Sequence, residues 1–164
     1  MSLRVPPPGK RGPRVPRGGP LMALFKLFTK RTVASYRKSG ADRINKRMGF
    51  PVVLLTTRGA KSGNERTVPI GGFPGGTDRW LVVASLNGAA RHPAWYLNMA
   101  MHPDDLWLEV DKERFRVRPE LLEGPEREEA LARIASASAR YGTYQQKTDR
   151  EIPIVRLSRA EEQP

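Results

Sequence analysis

The sequence predicts an α+β fold that is mainly β: a small antiparallel barrel with helices inserted between its strands. Three observations predict it. Six short runs, at 51–57, 66–73, 79–85, 106–110, 115–118 and 152–157, have the apolar, β-branched or alternating character of strands. They are not joined by regular β-α-β alternation, which argues against a Rossmann-type sheet. A hydrophobic content of 38% in 164 residues supplies one compact core and no more.

Residues 1–20 are rich in Pro, Gly and Arg with almost nothing apolar, and read as a disordered basic tail. No apolar stretch follows the early arginines, so the segment lacks the form of a secretory signal. Residues 21–46 read as a basic amphipathic helix. Leu21, Leu24, Phe25, Phe28 and Tyr36 fall near helical spacing, and Lys26, Lys30, Arg31, Arg37 and Lys38 fill the remainder. This helix is too short and too charged to span a bilayer. Its stripe suits either the headgroup region of an anionic membrane or packing on the barrel or a second subunit, and spacing does not choose between them. Residues 47–164 then form the barrel domain.

Within that domain, 51–57 (PVVLLTT) is the first strand. The run at 66–73 precedes a turn at Gly75 and Gly76, and 79–85 reads as the second arm of that hairpin. Residues 92–101 form a short helix with Pro93 suited to its first turn. The runs at 106–110 and 115–118 pair around Asp111 and Lys112. Residues 125–141 are a clear helix, with acids crowding its first turn as the helix dipole favours. The last strand is 152–157.

Charge is unevenly distributed. Residues 1–47 carry 13 Lys and Arg against the single acid Asp42, while the remaining 117 residues carry 16 of each sign. The body is neutral, and the excess of +12 belongs to the N-terminal extension, which would attract anionic lipid, nucleic acid or an anionic cofactor. The chain has no cysteine, which excludes disulfides, thiolate nucleophiles, Cys-ligated zinc and iron–sulfur clusters. His92 and His102 are the only histidines, so neither a multi-histidine metal site nor a Ser/His/Asp triad is expected. The composition fits the cytoplasm, with peripheral attachment to the inner face of the cell membrane as the further expectation.

Three segments could carry chemistry. In 56–69 (TTRGAKSGNERTVP), Gly59 and Gly63 allow a tight turn whose N–H groups converge on an anion, with Arg58, Lys61, Ser62 and Arg66 around it. This is phosphate-cradling chemistry without a Walker pattern; the plain alternative is a solvated hairpin loop. In 84–98 (ASLNGAARHPAWYLN), a strand end, a turn at Asn87 and Gly88 and a short helix bearing Trp95, Tyr96 and Asn98 suit a planar heterocycle. The alternative is that the aromatics anchor the helix to the barrel. In 141–153, Tyr141 and Tyr144 share one helical face and either line a pocket mouth or pack against the next strand.

At these segments the chain resembles the deazaflavin-dependent nitroreductase family, a group of actinobacterial proteins. The stretches are LLTTRGAKSGNERTVP, VVASLNGAARHPAWYLNM and YQQKTDREIPIVRL, in that order, and the resemblance spans roughly 21–158. It implies a six-stranded antiparallel split β-barrel with inserted helices, holding the coenzyme F420. It also implies that Lys61, Ser62 and Arg66 meet the phosphate and oligoglutamate tail, in a loop that includes Arg58 and Ala60. Thr67, Val68, Pro69, Ile70 and Gly71 would run beside the cofactor, Ala84 and Ser85 would lie against the deazaflavin ring, and Ala94, Trp95, Tyr96 and Asn98 would close the other side. Ser85, Tyr141 and Tyr144 would act at the acceptor, and no metal is implied.

Departures from the family pattern carry consequences. Ala60 stands where the family has a basic residue, with Arg58 as the compensating cation, so tail affinity should fall. Leu86 stands where a lysine often follows the Ala-Ser pair. Ser138 and Gly71 stand where aromatics are frequent, which implies a wider acceptor pocket and no presumption of nitroimidazole reduction. The function expected is reduction of a small quinone, enone or nitroaromatic by hydride from reduced F420, with a membrane quinone the economical choice. The competing readings are a split barrel using FMN or haem, and a non-enzymatic module whose basic arm binds nucleic acid. The neutral body argues against the last. Monomer and homodimer are left open.

Overall fold

The computed structural model describes residues 3–161. Among them are five helices: α1 (Pro20–Ser39), α2 (Asp42–Met48), α3 (Ala94–Met101), α4 (Gly124–Ala137) and α5 (Ala139–Lys147). Seven strands complete the fold: β1 (Val52–Arg58), β2 (Glu65–Gly71), β3 (Phe73–Pro74), β4 (Arg79–Val83), β5 (Trp107–Val110), β6 (Glu113–Leu121) and β7 (Ile154–Arg159). They form one curled antiparallel sheet in the order β2-β1-β5-β6-β7-β4-β3. The expectation of six strands is corrected to seven by β3, a two-residue strand that composition does not distinguish from the run before it.

One expected pairing is also corrected. The hairpin expected between the 66–73 run and 79–85 holds only at its turn end, where β3 pairs with β4 around Gly75 and Gly76; β2 pairs instead with β1 across the 59–64 turn, and the second partner of β4 is β7. The reason lies at Gly72, where any side chain would meet the Val53 methyls at 2.6 Å, so the chain crosses close over β1 and leaves the strand. β2 and β3 therefore sit at opposite ends of the sheet order, and the free edge of β2 faces the β4 side across a split.

Both faces of β1 are covered, which is why it reads as an unbroken apolar run. Val53 and Leu55 point into the barrel with Val82, Met99, Leu106, Leu108, Val155 and Leu157. Val52 and Leu54 point outward against Tyr36 and Ile44 of α1 and α2. α4 and α5 cover the outer face of β4 and β7 through Ile134, Tyr141 and Tyr144. The expected single helix over 21–46 is two helices, because Gly40, at φ 78°, ends α1 and donates its N–H to the Tyr36 carbonyl. Tyr36 is fully buried; its hydroxyl donates to the Val52 carbonyl at 3.0 Å and accepts from the Asp111 N–H at 2.8 Å. The first half of α1 has no such anchor. Leu21, Leu24 and Phe25 are each more than 60% exposed.

The segment expected to be a disordered tail is laid across the body as a strap; residues 1–2 lie outside the described range. The Gly9 N–H donates to Ala90 O, the Lys10 and Arg11 N–H groups both donate to Asp149 Oδ1, and Thr148 Oγ1 donates to Arg11 O. Arg4 pairs with Glu123 and Glu151. Composition misses this because the strap is held mainly by backbone polar groups and the Arg4 ion pairs, with only Leu3 and Pro6 packed against the body.

Candidate functional site

The β1–β2 turn is built as the glycines require. Gly59 N–H donates to Asn64 O, Gly63 N–H donates to Gly59 O, and Gly63 takes φ 70°. Arg58 does not face outward as a free cation: its guanidinium bonds Asp105 Oδ2 and the Gly63 carbonyl, and so braces the turn. Lys61, Ser62 and Arg66 are exposed, and Lys61 and Arg66 make no ion pair among the described residues. They are available to an anion, whereas Arg58 is spent on structure.

Asn98 connects this turn to α3. Its Oδ1 accepts from the Ala60 N–H at 2.9 Å, and its Nδ2 donates to Thr57 Oγ1 at 3.2 Å. Asn98 therefore ties the turn to α3, a role that sequence spacing does not show. Tyr96 is fully buried with its hydroxyl on the Arg4 carbonyl, so it is an anchor for α3 and the strap and not an exposed stacking wall. Trp95 is half-buried and edge-on to Tyr96, and Ala94 opens the helix beside it, exposed.

Across the split, β4 is followed by Ala84 and Ser85, both buried, and the chain enters a turn at 86–88 with three consecutive left-handed residues. Leu86 has φ 43°, Asn87 54° and Gly88 79°. Two non-glycine residues held there store strain that the surroundings must over-determine. α5 packs over this turn so closely that a Cβ on Gly88 would meet Lys147 Cβ at 2.8 Å. Thr67, Val68, Pro69 and Ile70 are half-buried along the free edge of β2, and Thr67 Oγ1 is bonded to Thr56 Oγ1 at 2.7 Å.

Tyr141 and Tyr144 belong to the α5 cluster with Phe50 and Phe73, in edge-to-face contacts at 5.1–5.5 Å. The Tyr141 hydroxyl fills the space beside Gly71, where a Cβ would meet it at 2.5 Å. The gap expected at Gly71 is thereby occupied by a phenol from another element. Burial pushes Tyr141 up to about 12 and raises Tyr144 as well, so both stay protonated and can donate a hydrogen bond.

Sequence reasoning missed Arg150, which stands inside the quoted YQQKTDREIP stretch. It is 2% exposed. Its guanidinium donates to the carbonyls of Ala84 (3.0 Å), Ser85 (2.8 Å) and Ala89 (2.7 Å). A lone arginine in a polar run gives no signal of burial.

The arrangement fits a long, anionic, ring-bearing coenzyme. Free cations and a glycine turn stand at one end of an open strand edge, and a rigid backbone wall with protonated phenols stands toward the other. No cluster of three or more metal-ligating side chains occurs among the described residues.

The sequence profile described as F420H(2)-dependent quinone reductase matches residues 28–159. An F420H(2)-dependent quinone reductase of Mycobacterium tuberculosis is 37% identical over 112 residues, covering 66% of this chain and 74% of its own length. A solved F420-H2-dependent reductase is 36% identical with a TM-score of 0.58, covering 66% of this chain and 94% of that one. A solved domain-swapped dimer is 30% identical with a TM-score of 0.60, covering 85% of this chain and all of that one.

Proposed function

The chain belongs to the F420H(2)-dependent quinone reductase family, and from that premise we propose that it is an F420H2-dependent oxidoreductase that reduces quinones. In this reading Lys61, Ser62 and Arg66 receive the anionic tail. Thr67–Gly71 run beside the coenzyme, Ala84 and Ser85 back the ring, and Ala94, Trp95 and Asn98 bound the other side. The observation that carries it is a pair of exposed cations, Lys61 on the tight glycine turn and Arg66 at the start of β2, neither in an ion pair among the described residues, at one end of the free β2 edge.

When bound, the reduced coenzyme supplies a hydride. The chain's own residues bind, orient and shield. Asn98 fixes the anion turn against α3, and the left-handed turn at 86–88 is pre-formed, so neither must be ordered on binding. Ser85 and the protonated Tyr141 and Tyr144 donate hydrogen bonds where an acceptor oxygen gains negative charge. No acid–base pair is required.

A membrane quinone is the acceptor this reading favours. The exposed stripe Leu21, Leu24, Phe25 and Phe28 lines, with Val15, Pro16 and Asn87, a groove of about 640 Å³ next to the 86–88 turn. No helix among the described residues is long and apolar enough to cross a membrane, so the attachment proposed is peripheral, from the cytoplasmic side. The function is tested by titrating the protein with F420, FMN and haem, then following F420H2 oxidation by a short-chain quinone. Saturable F420 binding with quinone-dependent oxidation is expected. Tighter binding of FMN or haem, or no turnover, rejects the reading.

A further inference from the structure

We infer that Arg150 is a positioning residue of the coenzyme wall: its buried guanidinium braces the strained 86–88 turn and sets a positive charge directly behind the Ala84–Ser85 backbone. The inference rests on the placement of the ring against Ala84 and Ser85 proposed above.

The bracing follows from the contacts. One guanidinium bridges carbonyls on both sides of the turn, those of Ala84 and Ser85 before it and that of Ala89 after it. The planar fork of arginine spans such a set, and a single ammonium does not. The turn's own bonds, Gly88 N–H to Ser85 O and Ala89 N–H to Leu86 O, close a loop whose left-handed residues would otherwise relax.

The charge follows from what does not touch it. Arg150 forms no ion pair among the described residues. The neighbouring acids are engaged elsewhere: Asp149 accepts from the Lys10 and Arg11 N–H groups, and Glu151 and Glu123 pair with Arg4. The group facing it from the segment before α3 is His92, whose Nδ1 lies 3.3 Å from the guanidinium as an acceptor. Burial pulls Arg150 down to about 10, which leaves it cationic at neutral pH. A buried cation held by carbonyl dipoles and a neutral imidazole, with no compensating anion among the described residues, stabilises any negative charge on a ring placed on the far side of those carbonyls.

The test uses the full chain and two variants, Arg150→Lys and Arg150→Met. Amide exchange at Gly88 and Ala89, measured without coenzyme, reads the bracing. The pH at which the absorbance of bound, oxidised F420 changes, reporting ionisation of its hydroxylated ring, reads the charge. Both variants should exchange about tenfold faster, as expected for loss of a hydrogen bond to a charged group. Ring ionisation should stay near wild type in the Lys variant and rise by about one pH unit in the Met variant. His92, Arg4, Asp149, Glu151 and Glu123 are common to both variants, so their titration cancels in that comparison. Unchanged exchange in the Lys variant overturns the inference whether or not the Met variant folds, and so does equal ring ionisation in the two. Failure of the wild type to bind F420 rejects the functional reading instead, and the exchange measurement, which needs no coenzyme, tells the two failures apart.

Discussion

His92 Nε2 lies 2.7 Å from the carbonyl oxygen of Pro6, 86 residues earlier in the chain. A proline carbonyl only accepts, so Nε2 carries the proton and Nδ1 is left to accept from Arg150. The imidazole must therefore be neutral. Burial, followed by the Arg150 charge, pulls it below the ordinary histidine value of 6.5. Because the folded value is the lower one, the stabilisation is complete above about 6.5 and is lost as pH falls through the folded value. The Gly9 amide and the Lys10–Arg11 peptide should stay protected at pH 8 and 7 and open progressively below 6.5, read by exchange and limited trypsin cleavage. His92→Gln, which can still donate to Pro6, should flatten that dependence. Protection constant down to pH 5 would refute the link.

The anion turn separates two arginine-like roles. Lys61→Ala should weaken F420 binding by about 1.5 kcal/mol, the lower end for a hydrogen bond to a charged group, since Lys61 is exposed. The loss should shrink as salt rises. Arg58→Ala should instead lower stability modestly, by about 0.5–1 kcal/mol, because the brace to Asp105 and the Gly63 carbonyl is partly exposed to water. Calorimetric melting beside fluorescence titration checks both, and a Lys61 variant with wild-type affinity at low salt rules the turn out as the cradle.

Gly71 and Tyr141 are predicted to be coupled. Gly71→Ala drives a methyl into the Tyr141 hydroxyl and should cost about 1–3 kcal/mol of stability. Tyr141→Phe removes that oxygen and should recover part of the cost in the double variant, while by itself lowering quinone turnover with little change in F420 affinity. Additive effects in the melting temperatures would mean that the hydroxyl does not occupy this space.

The N-terminal helix yields a prediction at a surface. Deleting 1–20 should weaken but not abolish binding to anionic vesicles, since Leu21–Phe28 and the α1 lysines remain. Deleting 1–46 should abolish it. The shorter deletion should also lower the melting temperature, because it removes partners of Asp149, His92 and Tyr96. Co-sedimentation with anionic and neutral vesicles at low and high salt decides the matter, and equal binding to both would discard membrane attachment.

Most elements were legible because each is written locally. β1 is an uninterrupted apolar run, β5 and β6 flank a turn at Asp111 with φ 55°, and α4 opens on a Pro with acids behind it. What escaped depends on partners distant in sequence. β3 exists only through Leu81 and Trp80, and the role of Asn98 at the turn depends on Ala60, 38 residues away. Arg150 reads as one more surface arginine until Ala84, Ser85 and Ala89 surround it. Local pattern reports periodicity and turn chemistry; it carries nothing about which carbonyls converge after the chain has closed.

The strap ties the start of the chain to its far end, with Arg4 bonded to Glu151 across 147 positions and Thr148 to Arg11 across 137. Translation runs in the opposite sense to this assembly. Residues 3–11 leave the ribosome long before their partners at 148–151, which are followed in the body only by β7. The strap cannot complete these contacts until 148–151 have been made, so its docking is expected late in folding. Weakening contacts that form late should accelerate unfolding and leave the refolding rate nearly unchanged.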